Sequence, residues 1–283
     1  VLLFFAFITG MGFGIVISKE DGFVRGPRVA VLRVEDIILD SQIYLESLST
    51  IRKDDTIKAL VLRIDSPGGA VGPSQEIYRE VKKLREKMPV VASMGTVGAS
   101  GGYYIACAAE KIFANPGTIT GSIGVIAQFV SYRQLLEWAK LDVEVIKSGE
   151  FKDAGSPLKE MTEAEKKYFQ ELIDNVHSQF KLAVSEGRGI DPKTIDRIAD
   201  GRIFTGEQAK KLRLIDEIGT LSDAIRLAAS RGGIKEEEPS VVYYPKRKTR
   251  FLDLLLSNFK SYAPSNLASK ERFGLFYLVD IIH

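Results

Sequence analysis

The chain has 283 residues, 45% of them hydrophobic and 27% charged, and its 39 Lys and Arg nearly balance 37 Asp and Glu for a net charge of +2. This is ordinary globular usage, which excludes a disordered chain and a disulfide scaffold. With no basic run interleaved with aromatics, no nucleic-acid partner is expected. Cys107 is the only cysteine and has no histidine at metal-ligand spacing, so neither a bridge nor a zinc site is expected, and no cofactor.

In chain order, the first feature is the uncharged run VLLFFAFITGMGFGIVIS, residues 1–18. As a helix it would extend about 27 Å at about 1.5 Å per residue, close to the hydrocarbon thickness of about 30 Å. A transmembrane anchor is expected here, with a cleavable signal peptide as the alternative. No small-x-small pair closes the apolar run, which favours the anchor. Residues 19–27 read as a linker, opened by Lys19, Glu20 and Asp21.

From Arg28 the pattern changes to short apolar runs between amphipathic stretches: RVAVLRVEDIIL, KALVLRIDSPGG, PSQEIYREVKKLREK and PVVASMG. These read as strand, strand, helix, strand. Buried strands rich in Val, Ile and Leu that alternate with helices predict a layered α/β fold. A helix carrying YYIACAA is expected to open near Ser100, and IFANPGTITGSIGVI is strand or turn material. SYRQLLEWAK predicts a helix and VEVIKS a strand. The long run from Thr162 to Arg188 predicts a helix capped by Thr162, with Glu165 at capping-box spacing and an end at Gly187 or Gly189. TGEQAKKLRLID and LSDAIRLAASRGG repeat the capped-helix pattern. One domain is expected over 28–233. The tail, 234–283, opens on the charged KEEEPS and then mixes a short strand signal, VVYY, with an apolar helix.

The chemistry-bearing residues gather in glycine-rich turns at strand ends. DSPGG, Asp65 to Gly69, would let backbone N–H groups approach a bound oxyanion, although Pro-Gly pairs also make ordinary tight turns. In GTVGASGG, Ser100 lies among small residues at a helix start, where free N–H groups and the helix dipole favour negative charge. The N–H of Gly101 is the natural donor, and a plain N-cap serine is the alternative.

A serine nucleophile needs a base. The only histidines, His177 in mid-helix and the terminal His283, are poorly placed for that role, which turns attention to a Ser-Lys pair. SGEFKDAGSP supplies Lys152 in a loop of small and polar residues, with Lys147 and Lys159 as rivals nearby. A lysine base must fall from a pKa of about 10.4 to roughly 7 or 8, a cost of about 4 kcal/mol, so a partner that orients the neutral amine is expected. The TGSIG turn offers Ser122.

DSPGG, GTVGASGGYYIACAA, TGSIG and SGEFKDAGSP occur in that order, and together they resemble the short form of bacterial signal peptide peptidase A, from about Arg28 to about Ala228. The resemblance implies Ser100 as nucleophile, Lys152 as general base, Ser122 as the lysine's hydrogen-bond partner, and Gly101 and Gly69 as oxyanion donors. It also implies the fold of the caseinolytic protease and crotonase group, an N-terminal membrane anchor and a ring-like homo-oligomer. Its expected setting is the inner or plasma membrane, with the catalytic domain on the extracytoplasmic side. The expected partners are membrane lipid and, as substrates, the hydrophobic remnants of cleaved signal peptides. The resemblance leaves the tail open, and it is expected to pack on a neighbouring subunit, or else on the membrane surface. Two alternatives stand beside this reading. One is a stomatin-associated Ser-Lys protease, and the other is a non-catalytic crotonase-like binding or scaffold protein, since glycine turns and capped helices also have structural explanations.

Overall fold

The computed structural model describes residues 26–246 and the backbone of 276–278. The apolar run 1–18 expected as an anchor, most of the linker 19–27 and most of the tail lie outside the described residues. Among the described residues no helix is long and apolar enough to cross a membrane.

One eight-stranded sheet organises the chain. Across it the order is β7 (Ile203–Thr205), β6 (Ile119–Gly121), β4 (Val90–Ala99), β2 (Ile57–Ser66), β1 (Arg28–Glu35) and β9 (Ser240–Tyr244), while β5 (Lys111–Ala114) pairs with β4 and β8 (Glu217–Ile218). Every pairing in it is parallel except β6 with β7. The apolar runs in β1, β2 and β4 follow from this, because strands of a parallel sheet are covered on both faces.

Alternate residues serve alternate layers. Val29, Val31, Ala59, Val61 and Val91 pack against Ala224 and Ala228 of α8 (Leu221–Arg231). Ala30, Leu32, Leu60, Leu62 and Met94 face the other layer. That layer is built from α1 (Gln42–Lys53), α2 (Val71–Arg85), α3 (Gly101–Ala106) and α5 (Glu163–Arg188), through residues such as Ile51, Ile77, Tyr103 and Phe180.

The expected caps form. Thr162 accepts the amide of Glu165 and the Glu165 carboxylate accepts the amide of Thr162, and the helix ends at Gly189 with φ 60°. Thr205 and Thr220 build the same reciprocal box for α7 (Gly206–Lys211) and α8, each cap contributing about 1 kcal/mol.

The structure departs from the sequence expectations in three places. α1 stands between the first two strands, where no helix is expected. The sheet runs past Gly233, since Ser240–Tyr244 pairs in parallel with β1 and Arg33 stacks on the Tyr243 ring at 4.5 Å. VEVIKS is not a strand: Val143, Val145 and Ile146 are exposed on an arm that also carries the short α4 (Arg133–Trp138). The apolar alternation is there, but among the described residues no strand pairs with it. A second, two-stranded sheet joins β3 (Gly68–Ala70) to β10 (Phe276–Leu278) in antiparallel register.

Candidate active site

The site grows out of the end of β2. Ile64 pairs with Met94 and Ser66 with Gly98, so Gly95, Thr96 and Val97 stand opposite Asp65 alone. The surplus would leave amides of β4 without strand partners. Asp65 takes two of them: its Oδ1 accepts the N–H of Thr96 at 3.1 Å and of Val97 at 3.0 Å. Gly95 is required beside it, because a Cβ there would lie 2.5 Å from Asp65 Oδ2. Beyond this latch β4 resumes parallel pairing, now with β6, and delivers Ser100.

The turn after β2 is built for close approach. Ser66 Oγ donates to the carbonyl of Asp36 at 2.6 Å and accepts the amide of Gly68 at 3.2 Å. Gly68 has φ 110°, open to glycine alone, and a Cβ on Gly69 would lie 2.1 Å from the Ile38 carbonyl oxygen. On this side Ile38 donates to Gly68 O and accepts from the Ala70 amide. The N–H and C=O of Gly69 therefore point to the opposite edge of β3.

Ser100 joins β4 to α3 with φ 52° and ψ −118°, a conformation costing a non-glycine residue about 1–3 kcal/mol. Two bonds hold it there. Its N–H donates to Gly121 O at 2.8 Å and its carbonyl accepts from Tyr104 N at 2.8 Å. The hydroxyl, in contrast, is fully buried and has no hydrogen-bond partner among the described residues. A Cβ on Gly101 would lie 2.7 Å from Ser74 Oγ and 3.2 Å from the amide nitrogen of Gly69, so the two candidate donor glycines run side by side next to the serine.

Ser122 is brought close by strand register. Ala99 and Gly121 are parallel partners, and Ser100 and Ser122 each follow one of them. Both serines have positive φ, 52° and 50°. Ser122 is fixed through its amide, which donates to Arg202 O at 2.8 Å. With Val125, Ile126, Gln170, His177 and Asp200 it lines a cleft of about 480 Å³. His177, poorly placed as a base by its mid-helix position, thus shares the cleft of Ser122, and its Nε2 is buried without a partner among the described residues. His283 lies outside the described residues.

Lys152 lies in a short 3-10 turn, Glu150–Asp153, which rests on α5 through the rings of Phe151 and Tyr168, 5.3 Å apart. Its rivals are engaged. Lys147 donates to Asp153 at 2.6 Å and to the Glu150 carbonyl at 2.9 Å. Lys159 donates to Glu165, and this bond holds its ammonium above the ordinary lysine range, the wrong direction for a base. Lys152 is exposed, its N–H donates to the Gly149 carbonyl at 3.1 Å, and its side-chain amine makes no hydrogen bond or ion pair among the described residues. Within one chain, then, the sheet assembles Ser100, Ser122, Gly69 and Gly101, whereas Lys152 sits on the exposed arm and makes no bond to Ser100.

Other chemistries find little support here. Cys107 is buried, and burial pushes its thiol up to about 12, which makes it a packing residue rather than a nucleophile. Among the described residues no cluster of three or more His, Cys, Asp or Glu could hold a metal. Asp65 is the positioning residue that sequence reading of the DSPGG turn missed; an acid at the end of a buried strand was its only signal.

The profile of Peptidase family S49 matches residues 82–235, and that of Clp protease matches residues 33–119. The chain is 46% identical over 194 residues to "Putative protease slr0021" of Synechocystis sp., covering 69% of this chain and 70% of that protein. It is 36% identical over 218 residues to "Putative signal peptide peptidase SppA" of Enterococcus faecium, covering 77% and 63%. It is 30% identical over 256 residues to "Protease 4" of Haemophilus influenzae, covering 85% of this chain but 41% of that longer protein. With a Clp protease-like α/β fold and these relatives, the chain belongs to peptidase family S49 and is a serine-type peptidase.

Proposed function

We propose that this peptidase is a membrane-anchored endopeptidase that works through a Ser100–Lys152 dyad on hydrophobic remnants of signal peptides. The observation that carries the reading is the state of Ser100, a buried hydroxyl without a partner on a strained strand-to-helix elbow, beside the main chain of two glycines. In the reaction, the neutral Lys152 amine takes the Ser100 proton as Oγ attacks the scissile carbonyl. The amides of Gly69 and Gly101 hold the oxyanion. The ammonium then returns its proton to the leaving amine, and an acyl-serine remains for water to hydrolyse by the same base. Ser122 Oγ accepts an N–H of the amine and turns its lone pair towards Ser100.

The exposed position of Lys152 fits a dyad completed by assembly. Val130, Leu135, Trp138, Leu141 and Ile146 are all exposed on the same arm, with Trp138 82% and Ile146 96% accessible. A second copy covering this arm would bury apolar surface and take the amine out of water, which favours the uncharged form that a base needs. This supports a homo-oligomer, in keeping with the ring that the sequence resemblance implies. The substrate class rests on the name of the Enterococcus relative and on β3, whose outer edge pairs with an extended segment, β10, in antiparallel register. Membrane anchoring through residues 1–18, with the catalytic domain on the extracytoplasmic side, completes the proposal.

The test is cleavage of an internally quenched apolar peptide by the purified chain. Ser100→Ala and Lys152→Ala should each abolish turnover with unchanged circular dichroism, while Lys147→Ala and Lys159→Ala keep a measurable rate. Near-normal turnover by Lys152→Ala at neutral pH would remove lysine 152 from the mechanism.

A further inference from the structure

Four side chains at six-residue intervals, Lys147, Asp153, Lys159 and Glu165, alternate in charge and meet in that order. Lys147 donates to Asp153 Oδ1 at 2.6 Å, Lys159 Nζ lies 3.7 Å from the same oxygen, and Lys159 donates to Glu165 Oε1. The other oxygen of Glu165 accepts the amide of Thr162 at 2.9 Å, so this relay ends in the cap of α5. The Glu165 side chain is only 4% exposed, which makes it a fixed end.

Lys152 stands between two residues of its turn that are each tied to α5. Phe151 rests on Tyr168, and Asp153 reaches Glu165 through Lys159. At three residues per turn the three side chains project about 120° apart, so fixing the outer two sets the direction of the third. α5 carries this frame to the nucleophile. About 18 Å beyond Tyr168, at about 1.5 Å per residue, the Phe180 ring packs 5.1 Å from that of Tyr104, whose amide holds the Ser100 carbonyl.

We propose that Asp153 and Lys159 are positioning residues for Lys152: the relay locks its turn to α5 and so fixes where the amine is presented. The inference rests on the reading of Lys152 as the base, and it gives the two rival lysines a task of their own. The Lys152 amine has no hydrogen bond among the described residues, so its placement depends on what holds its neighbours. The hydrogen bond from Lys147 keeps the Asp153 carboxyl below the usual carboxylate range, and the relay therefore stays charged at neutral pH. Partly exposed ion pairs contribute little to stability, so loss of the relay should be felt in the geometry of the turn more than in folding.

Asp153→Ala in the full chain is the test, read by turnover of the quenched peptide. A displacement of about 1 Å costs on the order of 100-fold in rate, so kcat should fall by about that factor while KM stays within about twofold and circular dichroism is unchanged. Asp153→Asn, which keeps an acceptor oxygen for Lys147, should recover about tenfold of the loss. Lys159→Met removes the link to Glu165 with an unbranched side chain kept; it should lose kcat about tenfold, and it carries the test if Asp153→Ala does not fold. A general structural role is separated by adding Asp153→Ala to Lys152→Ala. Labelling of Ser100 by a fluorophosphonate should be as slow in the double variant as in Lys152→Ala, because no amine is left to place. Further slowing in the double variant overturns the proposal, as does wild-type kcat in Asp153→Ala or, failing its folding, in Lys159→Met. Near-normal turnover by Lys152→Ala ends the base reading and the proposal together, whereas an inactive Lys152→Ala beside a fully active Asp153→Ala ends the proposal alone.

Discussion

Asp65→Ala isolates the latch that carries β4 past its register break to Ser100. The substitution removes the acceptor for two amides, Thr96 N–H at 3.1 Å and Val97 N–H at 3.0 Å. A hydrogen bond to a charged group is worth about 1.5–3 kcal/mol, but Thr96 is exposed and Val97 only half-buried, so water recovers part of each. A loss of about 2 kcal/mol is expected. For a chain of this size that lowers Tm by roughly 4–8 °C. The larger consequence falls on catalysis, because Val97, Gly98 and Ala99 set the height of Ser100 against β6 through the pairs Val97–Ile119 and Ala99–Gly121. A displacement of about 1 Å at a nucleophile costs on the order of 100-fold in rate. Asp65→Ala should therefore lose kcat by about two orders of magnitude in a protein still folded at 25 °C, and Asp65→Asn, which keeps one acceptor oxygen, should recover much of it. Scanning calorimetry and quenched-peptide kinetics on the three proteins measure both effects. Wild-type kcat in Asp65→Ala, or no difference between the Ala and Asn variants, refutes the positioning role.

Three further outcomes follow from the structure. Glu165 is held below the usual carboxylate range, first by its hydrogen bond from Lys159 and then by the amide of Thr162. A depressed folded pKa contributes stability above the unfolded value of about 4.3 that is lost as pH falls through the folded one, so the excess of wild type over Glu165→Gln in urea unfolding should be full at pH 7 and shrink progressively as pH falls below about 4. Cys107 should resist a thiol reagent such as DTNB in the native chain at pH 8 and react at the free-thiol rate in denaturant; fast native labelling would contradict its burial. Ile146→Asp, on the exposed arm, should shift sedimentation towards the monomer and reduce turnover together, whereas a change in turnover at constant mass would detach the arm from assembly.

The parts of this molecule that the sequence displays are those whose physical causes are local. Fully buried parallel strands need unbroken apolar runs, so β1, β2 and β4 are visible. Helix starts need a side chain to take free amides, so Thr162, Thr205 and Thr220 announce α5, α7 and α8. Ser100, Ser122 and Lys152 can be picked out from motif order. Features fixed by distant partners are hidden. α1 buries only Ser47, Leu48 and Ile51, too narrow a stripe to announce itself. β9 shows its short strand signal in VVYY, and what the sequence hides is its place, in parallel on the β1 edge beyond Gly233. Val143 to Ser148 has strand composition but pairs with no strand among the described residues, and Val143, Val145 and Ile146 are exposed instead. Asp65 belongs to this hidden class, because its task is defined by a register break in a neighbouring strand thirty residues on. The same distinction explains why the candidate dyad is half assembled in one chain. The serine, its companion Ser122 and the donor glycines are fixed by the sheet and its turns, whereas Lys152 rides on a surface arm whose apolar residues still lack a cover, so completion of the site and burial of the arm are one event in the proposed mechanism.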